Sequence, residues 1–129
     1  MDCEWVARVT AAIKKKTKTK HGTECRVWHG FIRRSKGQRG GGYGIMNVRM
    51  PGSHSRTTMR VHRLAYIIHT GSLIPQDRQE YDVSHLCHNS LCVNIHHLSL
   101  EPHCINNTRK ICKRQKECKG HGDYRPCIL

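Results

Sequence analysis

The sequence predicts a small α+β domain braced by two structural metal sites, and three observations carry that reading. Residues 25–61 alternate with a strand-like period and are interrupted by glycine-rich and Pro-Gly stretches, the pattern of a small antiparallel sheet. Residues 4–16 and 62–68 place their apolar side chains at helical spacing. Most of the cysteines fall with histidines at ligand-like separations, chiefly in the last third of the chain.

Composition explains why metal is needed. A chain of 129 residues fits one domain, or one core with a tail, and 36% hydrophobic with 5% aromatic content allows only a thin core. Twenty-three Lys and Arg against nine Asp and Glu leave a formal charge of +14. Such an excess fits a polyanionic partner, of which nucleic acid is the commonest. No stretch approaches the roughly 18 apolar residues of a membrane span. The first residues carry acids before the apolar part and lysines after it, the reverse of a secretory signal. The expectation is therefore an intracellular protein, nuclear in a eukaryote and otherwise cytoplasmic, and not a membrane protein or a secreted enzyme. Eight cysteines could pair as disulfides in an exported chain, but here they read as metal ligands.

In chain order, Trp5, Val6, Val9, Ala12 and Ile13 mark a short amphipathic helix that packs on the domain or on a partner subunit. Lys14, Lys15, Lys16, Lys18 and Lys20 follow as a basic linker, which reads equally as a solvated tail, an import signal or a phosphate contact. Residues 1–22 are thus expected as helix and linker, and 23–129 as the main domain. Cys25 to Ile32 reads as a first strand, residues 35–42 as a glycine loop, and Tyr43 to Met50 as a second strand. Pro51 to His54 reads as a tight turn and Arg56 to Val61 as a third strand, so that Arg49, Arg56 and Arg60 stud the sheet. A helix over 62–68 has Leu64, Ile67 and Ile68 on one face and ends near Gly71. Residues 72–81 form a polar loop, and a last helix covers about 102–111.

Cys87-x4-Cys92-x4-His97 supplies three ligands of a tetrahedral zinc site, and the fourth must come from elsewhere. Cys25 is the best candidate, because it would staple the first strand to the C-terminal part; His96 could replace His97. A second set, Cys112-x5-Cys118-x2-His121-x5-Cys127, is self-contained. Cys3 and Cys104 belong to neither set and read as ordinary thiols.

The string Ser84-His85-Leu86-Cys87-His88-Asn89, with Cys92, Asn94, His96, His97 and Leu98, and then Ile105-Asn106-Asn107, resembles the His-Cys box homing endonucleases. These are the zinc-stapled branch of the His-Me finger (ββα-metal) nucleases, to which the HNH enzymes also belong. The resemblance covers about residues 25–127 and is densest over 84–112. It implies a ββα-metal motif with His85 as the general base and Asn106 as the side-chain ligand of one Mg²⁺. It implies a first structural zinc on Cys25, Cys87, Cys92 and His97, and a second on Cys112, Cys118, His121 and Cys127. The spacing within the second loop departs from the family pattern at His121. It also implies a homodimer that lays its sheet in the major groove of double-stranded DNA and cuts both strands. A sheet arginine would support the scissile phosphate, with Arg49 preferred to Arg56, and Arg49, Arg56 and Arg60 would contact DNA.

The chemistry is coherent on its own terms. Hydrolysis near neutral pH needs water activated by a base such as imidazole, whose unperturbed pKa is about 6.5. A divalent ion can stabilise the leaving oxygen, and Mg²⁺ accepts a single amide oxygen beside phosphate oxygens and water. Asp82, the only acid close to His85 in sequence, reads as solvated or as orienting the loop. His85 as a zinc ligand, and Asn107 in place of Asn106, are the alternatives within this scheme. His88 and His103 read as surface or phosphate-contacting residues. The reading from another class is a non-catalytic zinc module that binds DNA or RNA.

Overall fold

The computed structural model describes residues 2–34, 42–71 and 80–129, so the expected loops at 35–42 and 72–81 lie almost wholly outside the described residues. The chain runs α1 (Cys3–Lys15), β1 (Thr17–Thr19), β2 (Arg26–Trp28), β3 (Ile32–Arg33), β4 (Tyr43–Val48), β5 (Thr57–Arg60) and α2 (Val61–Thr70). It continues through β6 (Tyr81–His85), a single 3-10 turn (Ile95–His97), β7 (Leu98–Pro102) and α3 (His103–Gln115). The strands pair antiparallel as β1–β2, β3–β4–β5 and β6–β7, so the fold is the α+β arrangement that the sequence predicts.

Helix α1 starts where the Asp2 carboxylate accepts the backbone N–H groups of Glu4 and Trp5. Lys14 and Lys15 in its last turn suit the negative end of the helix dipole. Its stripe of Trp5, Val9 and Ile13 is buried against Trp28, Val48, Val61 and Leu64, and the Trp5 indole donates to the Arg49 carbonyl at 2.6 Å. Of the two packing alternatives for this helix, its own domain is the one observed. The basic segment after it is more than a linker, because Thr17–Thr19 pairs with β2.

The expected strand over 25–32 is interrupted. Trp28 folds its ring over the backbones of Gly30 and Gly44, where an added Cβ at either position would overlap the indole. Its Nε1–H donates to the Phe31 carbonyl at 2.9 Å. The chain therefore bends between β2 and β3. Strands β4 and β5 sit where expected, each shorter by two residues, around a turn closed by the Ser53 N–H on the Met50 carbonyl. Their register pairs Ile45 with Arg60 and Asn47 with Thr58. Alternation then puts Met46, Val48 and Met59 toward the core and Tyr43, Asn47, Thr58 and Arg60 on the opposite face.

Helix α2 is the wall between two small cores. Leu64 enters the α1–Trp28 cluster, while Ile67 packs with Val83 and Leu98 of the β6–β7 hairpin. Gly71 at φ 70° ends the helix in the left-handed conformation, as its position in the sequence predicts. β6, β7 and α3 follow as a ββα unit, with His85 paired to Leu98 at the end of β6. Helix α3 runs to Gln115, past the expected end near 111, which carries Cys112 on its final turns. Among the described residues no helix is long and apolar enough to cross a membrane.

Candidate functional site

The two predicted Cys/His sets each converge. In the first, the ligand atoms of Cys25, Cys87, Cys92 and His97 all lie within 4.8 Å of one another. His97 Nδ1 faces Cys25 Sγ at 3.6 Å and Cys92 Sγ at 3.5 Å. Tetrahedral zinc with Zn–S of about 2.3 Å and Zn–N of about 2.0 Å puts neighbouring S and N ligands about 3.5 Å apart, so the donors fit that ion. Hydrogen bonding from Cys87 pulls the Cys92 thiol down to about 5, while the same contact and burial push Cys87 up. The one thiol held low, Cys92, and the neighbouring Cys25 and Cys87 sulfurs form the kind of crowded donor set that a divalent cation would hold as thiolates. Cys25 reaches the cluster because β2 is clamped to the following loop: Trp28 N–H donates to the Leu91 carbonyl and Val93 N–H to the Arg26 carbonyl, both at 2.8 Å. His96, the alternative to His97, is exposed.

In the second set, Cys112, Cys118, His121 and Cys127 also converge within 4.8 Å, so His121 takes its place despite the unusual spacing. His121 Nε2 lies 3.4 Å from both Cys112 Sγ and Cys127 Sγ. The Thr108 hydroxyl donates to the Ile105 carbonyl at 2.6 Å, which leaves its oxygen to accept Nδ1–H of His121 at 3.0 Å. That contact fixes the tautomer with Nε2 toward the sulfurs. Arg109, fully buried, pairs with both oxygens of Glu101 at 2.7 and 2.8 Å, and donates to the Arg125 carbonyl and to Cys127 Sγ. Burial alone would raise the Glu101 pKa, but Arg109, together with the Ser84 and Ser99 hydroxyls, holds the carboxyl below its usual value. Cys3 and Cys104 are exposed and outside both sets.

Beside the first cluster stands His85. Its Nε2 is 3.1 Å from the Cys92 carbonyl, which can only accept, so Nε2 carries the proton and Nδ1 keeps a lone pair. The His62 ring packs 4.4 Å away, and Tyr43 stacks on His62 at 5.4 Å. Burial lowers the His85 pKa to about 4 against the pull of the Cys92 carbonyl, with the charges of His88 and Arg60 adding to the decrease. The imidazole is therefore neutral. Arg60 lies 4.2 Å over the Tyr43 ring. With Arg33, Tyr43, Thr58, Arg63 and Asp82 it lines a cleft of about 440 Å³ on the open face of the sheet.

Asn106 lies near the start of α3, and its Nδ2 donates to Asp82 Oδ2 at 3.0 Å. The same oxygen receives His103 Nδ1 at 2.6 Å. Asp82 is thus one wall of the cleft and a double acceptor, not a solvated acid. Asn107 instead accepts from Lys110 on the helix surface at 3.1 Å. Arg49 and Arg56 are exposed at either side of the turn and are not among the cleft residues; Arg60 is. His62, Tyr43 and Thr108 carried no signal in the sequence, since their importance lies in contacts across elements. Arg109 and Glu101 were not singled out in the sequence either, since their pairing becomes visible only when α3 packs on β7.

The family model for the zinc-binding loop region of homing endonucleases matches residues 16–127. That is most of the chain, and the protein belongs to this His-Me finger family. Membership implies a nuclease of homing type with DNA as substrate. No curated protein and no solved structure matches the chain.

Proposed function

We propose that the protein hydrolyses phosphodiester bonds of double-stranded DNA, with His85 as general base and Asn106 as the protein ligand of a single Mg²⁺. The observation that carries the reading is the Nε2 contact of His85 to the Cys92 carbonyl, because it leaves Nδ1 as the acceptor for a water proton. Packing against His62 holds the ring still. The amide of Asn106 turns its nitrogen to Asp82, so its oxygen faces away from the carboxylate, and that hard donor suits Mg²⁺. When bound, the ion would stabilise charge on the leaving oxygen and orient the phosphate. His85 would take the proton from the attacking water. Arg60, beside the His85–His62–Tyr43 stack, is a better candidate than Arg49 to neutralise the phosphate. Arg49 and Arg56 would then contact DNA from the ends of β4 and β5, with the open face of the sheet toward the major groove.

A homodimer is part of the proposal, since one active site per chain cuts one strand. The apolar stripe of α1 is consumed in the core, and Ile111, Ile128 and Leu129 remain exposed for such a contact. The test is incubation with supercoiled plasmid. Mg²⁺ should give nicked and linear DNA, EDTA should stop the reaction, and His85→Ala should retain DNA binding without cleavage. Binding of DNA with no cleavage under any divalent ion would leave the non-catalytic zinc module as the function.

A further inference from the structure

Asp82 touches both the helix and the strand of the ββα unit, and nothing in the motif accounts for it. Its Oδ2 accepts Asn106 Nδ2 at 3.0 Å and His103 Nδ1 at 2.6 Å. We propose that Asp82 is a positioning residue which, through this contact, sets the direction in which the Asn106 amide presents its oxygen to a divalent cation. The inference rests on the reading of Asn106 as the metal ligand.

A carboxamide is nearly symmetric in shape, so an Asn side chain with indifferent neighbours can present either oxygen or nitrogen to a given point. Only the oxygen can bind a cation. An ionised carboxylate accepts and cannot donate, so Asp82 admits only the rotamer with Nδ2 toward itself and Oδ1 away. His103 keeps the carboxylate in place: Nδ1–H on the same oxygen restrains its rotation. The strand supplies rigidity, since Asp82 pairs with Glu101 in the β6–β7 ladder, three residues from His85. Base and ligand are in this way referred to one strand.

Asp82 could instead merely favour the N-terminus of α3, where a negative charge suits the helix dipole. A second alternative is that Asp82 binds the cation itself. Both differ from positioning in one respect: their effect does not pass through Asn106.

The experiment is a double-mutant cycle on the zinc-loaded protein with Mn²⁺ alone as probe. The readout is paramagnetic broadening of NMR signals from the first turn of α3, independent of turnover. Asp82→Ala should require about tenfold more Mn²⁺ for the same broadening, the usual scale for loss of a group that orients a ligand. Asn106→Ala should weaken binding at least as much. Adding Asp82→Ala to Asn106→Ala should change nothing further, because the positioned group is already gone. Asp82→Asn keeps the shape of the side chain and should also weaken binding, since an amide permits either orientation of Asn106; it serves if the alanine variant does not fold. A further loss from Asp82→Ala in the Asn106→Ala background, or unchanged Mn²⁺ response in Asp82→Asn, overturns the positioning role alone. Wild-type Mn²⁺ response in Asn106→Ala overturns the ligand assignment and the positioning role with it.

Discussion

The two cysteine clusters share a donor set and differ in what they join. The first is mostly buried and long-range: Cys25 and His97 are 72 residues apart in sequence. It clamps β2 to the loop after β6, and its Cys92 carbonyl holds the His85 ring. The second lies within residues 112–127, is half-exposed apart from Cys112, and closes the end of α3 against the chain terminus. The first cluster is thus a tertiary contact written in metal ligands, and the second is a local loop anchored through Arg109 to β7.

The largest effect should come from breaking the long-range cluster. Cys92→Ser should abolish the cooperative thermal transition, because structural zinc contributes about 10–16 kcal/mol in small domains, comparable to the whole stability of about 5–15 kcal/mol. Cys118→Ser should leave one zinc by elemental analysis, a lower Tm and a folded N-terminal core. Equal collapse of both variants would erase the distinction between the clusters.

His85→Ala should separate stapling from chemistry. Cleavage should fall by about 10²–10⁴, with two zinc ions and DNA affinity kept. Loss of zinc from this variant would make His85 a structural residue of the first cluster.

Next in size is the anchor of the second cluster. Arg109→Met leaves a buried Glu101 carboxylate alone and should cost about 3–5 kcal/mol in denaturant unfolding. Replacing both members with apolar residues should recover most of that loss. A smaller change is expected from Thr108→Val, which removes the acceptor that orients His121. Chelator competition should show about tenfold weaker zinc binding at one site of the two. Cys104→Ser, at an exposed thiol outside both clusters, should alter neither zinc content nor Tm.

These differences follow what could be seen in the sequence. The second cluster was legible because all its ligands lie within one short stretch, as were Cys87, Cys92 and His97. Cys25 was placed by the need for a staple and by the family resemblance. Helix α1 was legible from its stripe, whereas the break between β2 and β3 was not. That break is made by the Trp28 ring lying on Gly30 and Gly44, a contact between segments that spacing cannot express. Arg60 was one of three equivalent arginines until the register of β4 and β5 put it over Tyr43, beside the His62–His85 stack.

By itself, then, the sequence determined the α+β class, the cationic character and the locally spaced ligands Cys87, Cys92, His97, Cys112, Cys118, His121 and Cys127, because these depend on residue type and local spacing; Cys25, His85 and Asn106 became candidates through the staple the core needs and through the family resemblance. Tertiary structure alone decided the orientation of the candidate groups. Which nitrogen of His85 keeps its lone pair is set by a carbonyl seven residues on. The direction of the Asn106 amide is set by an acid 24 residues away. Orientation depends on partners brought together by folding, and a one-dimensional pattern carries the identity of a side chain but not the neighbour that aims it.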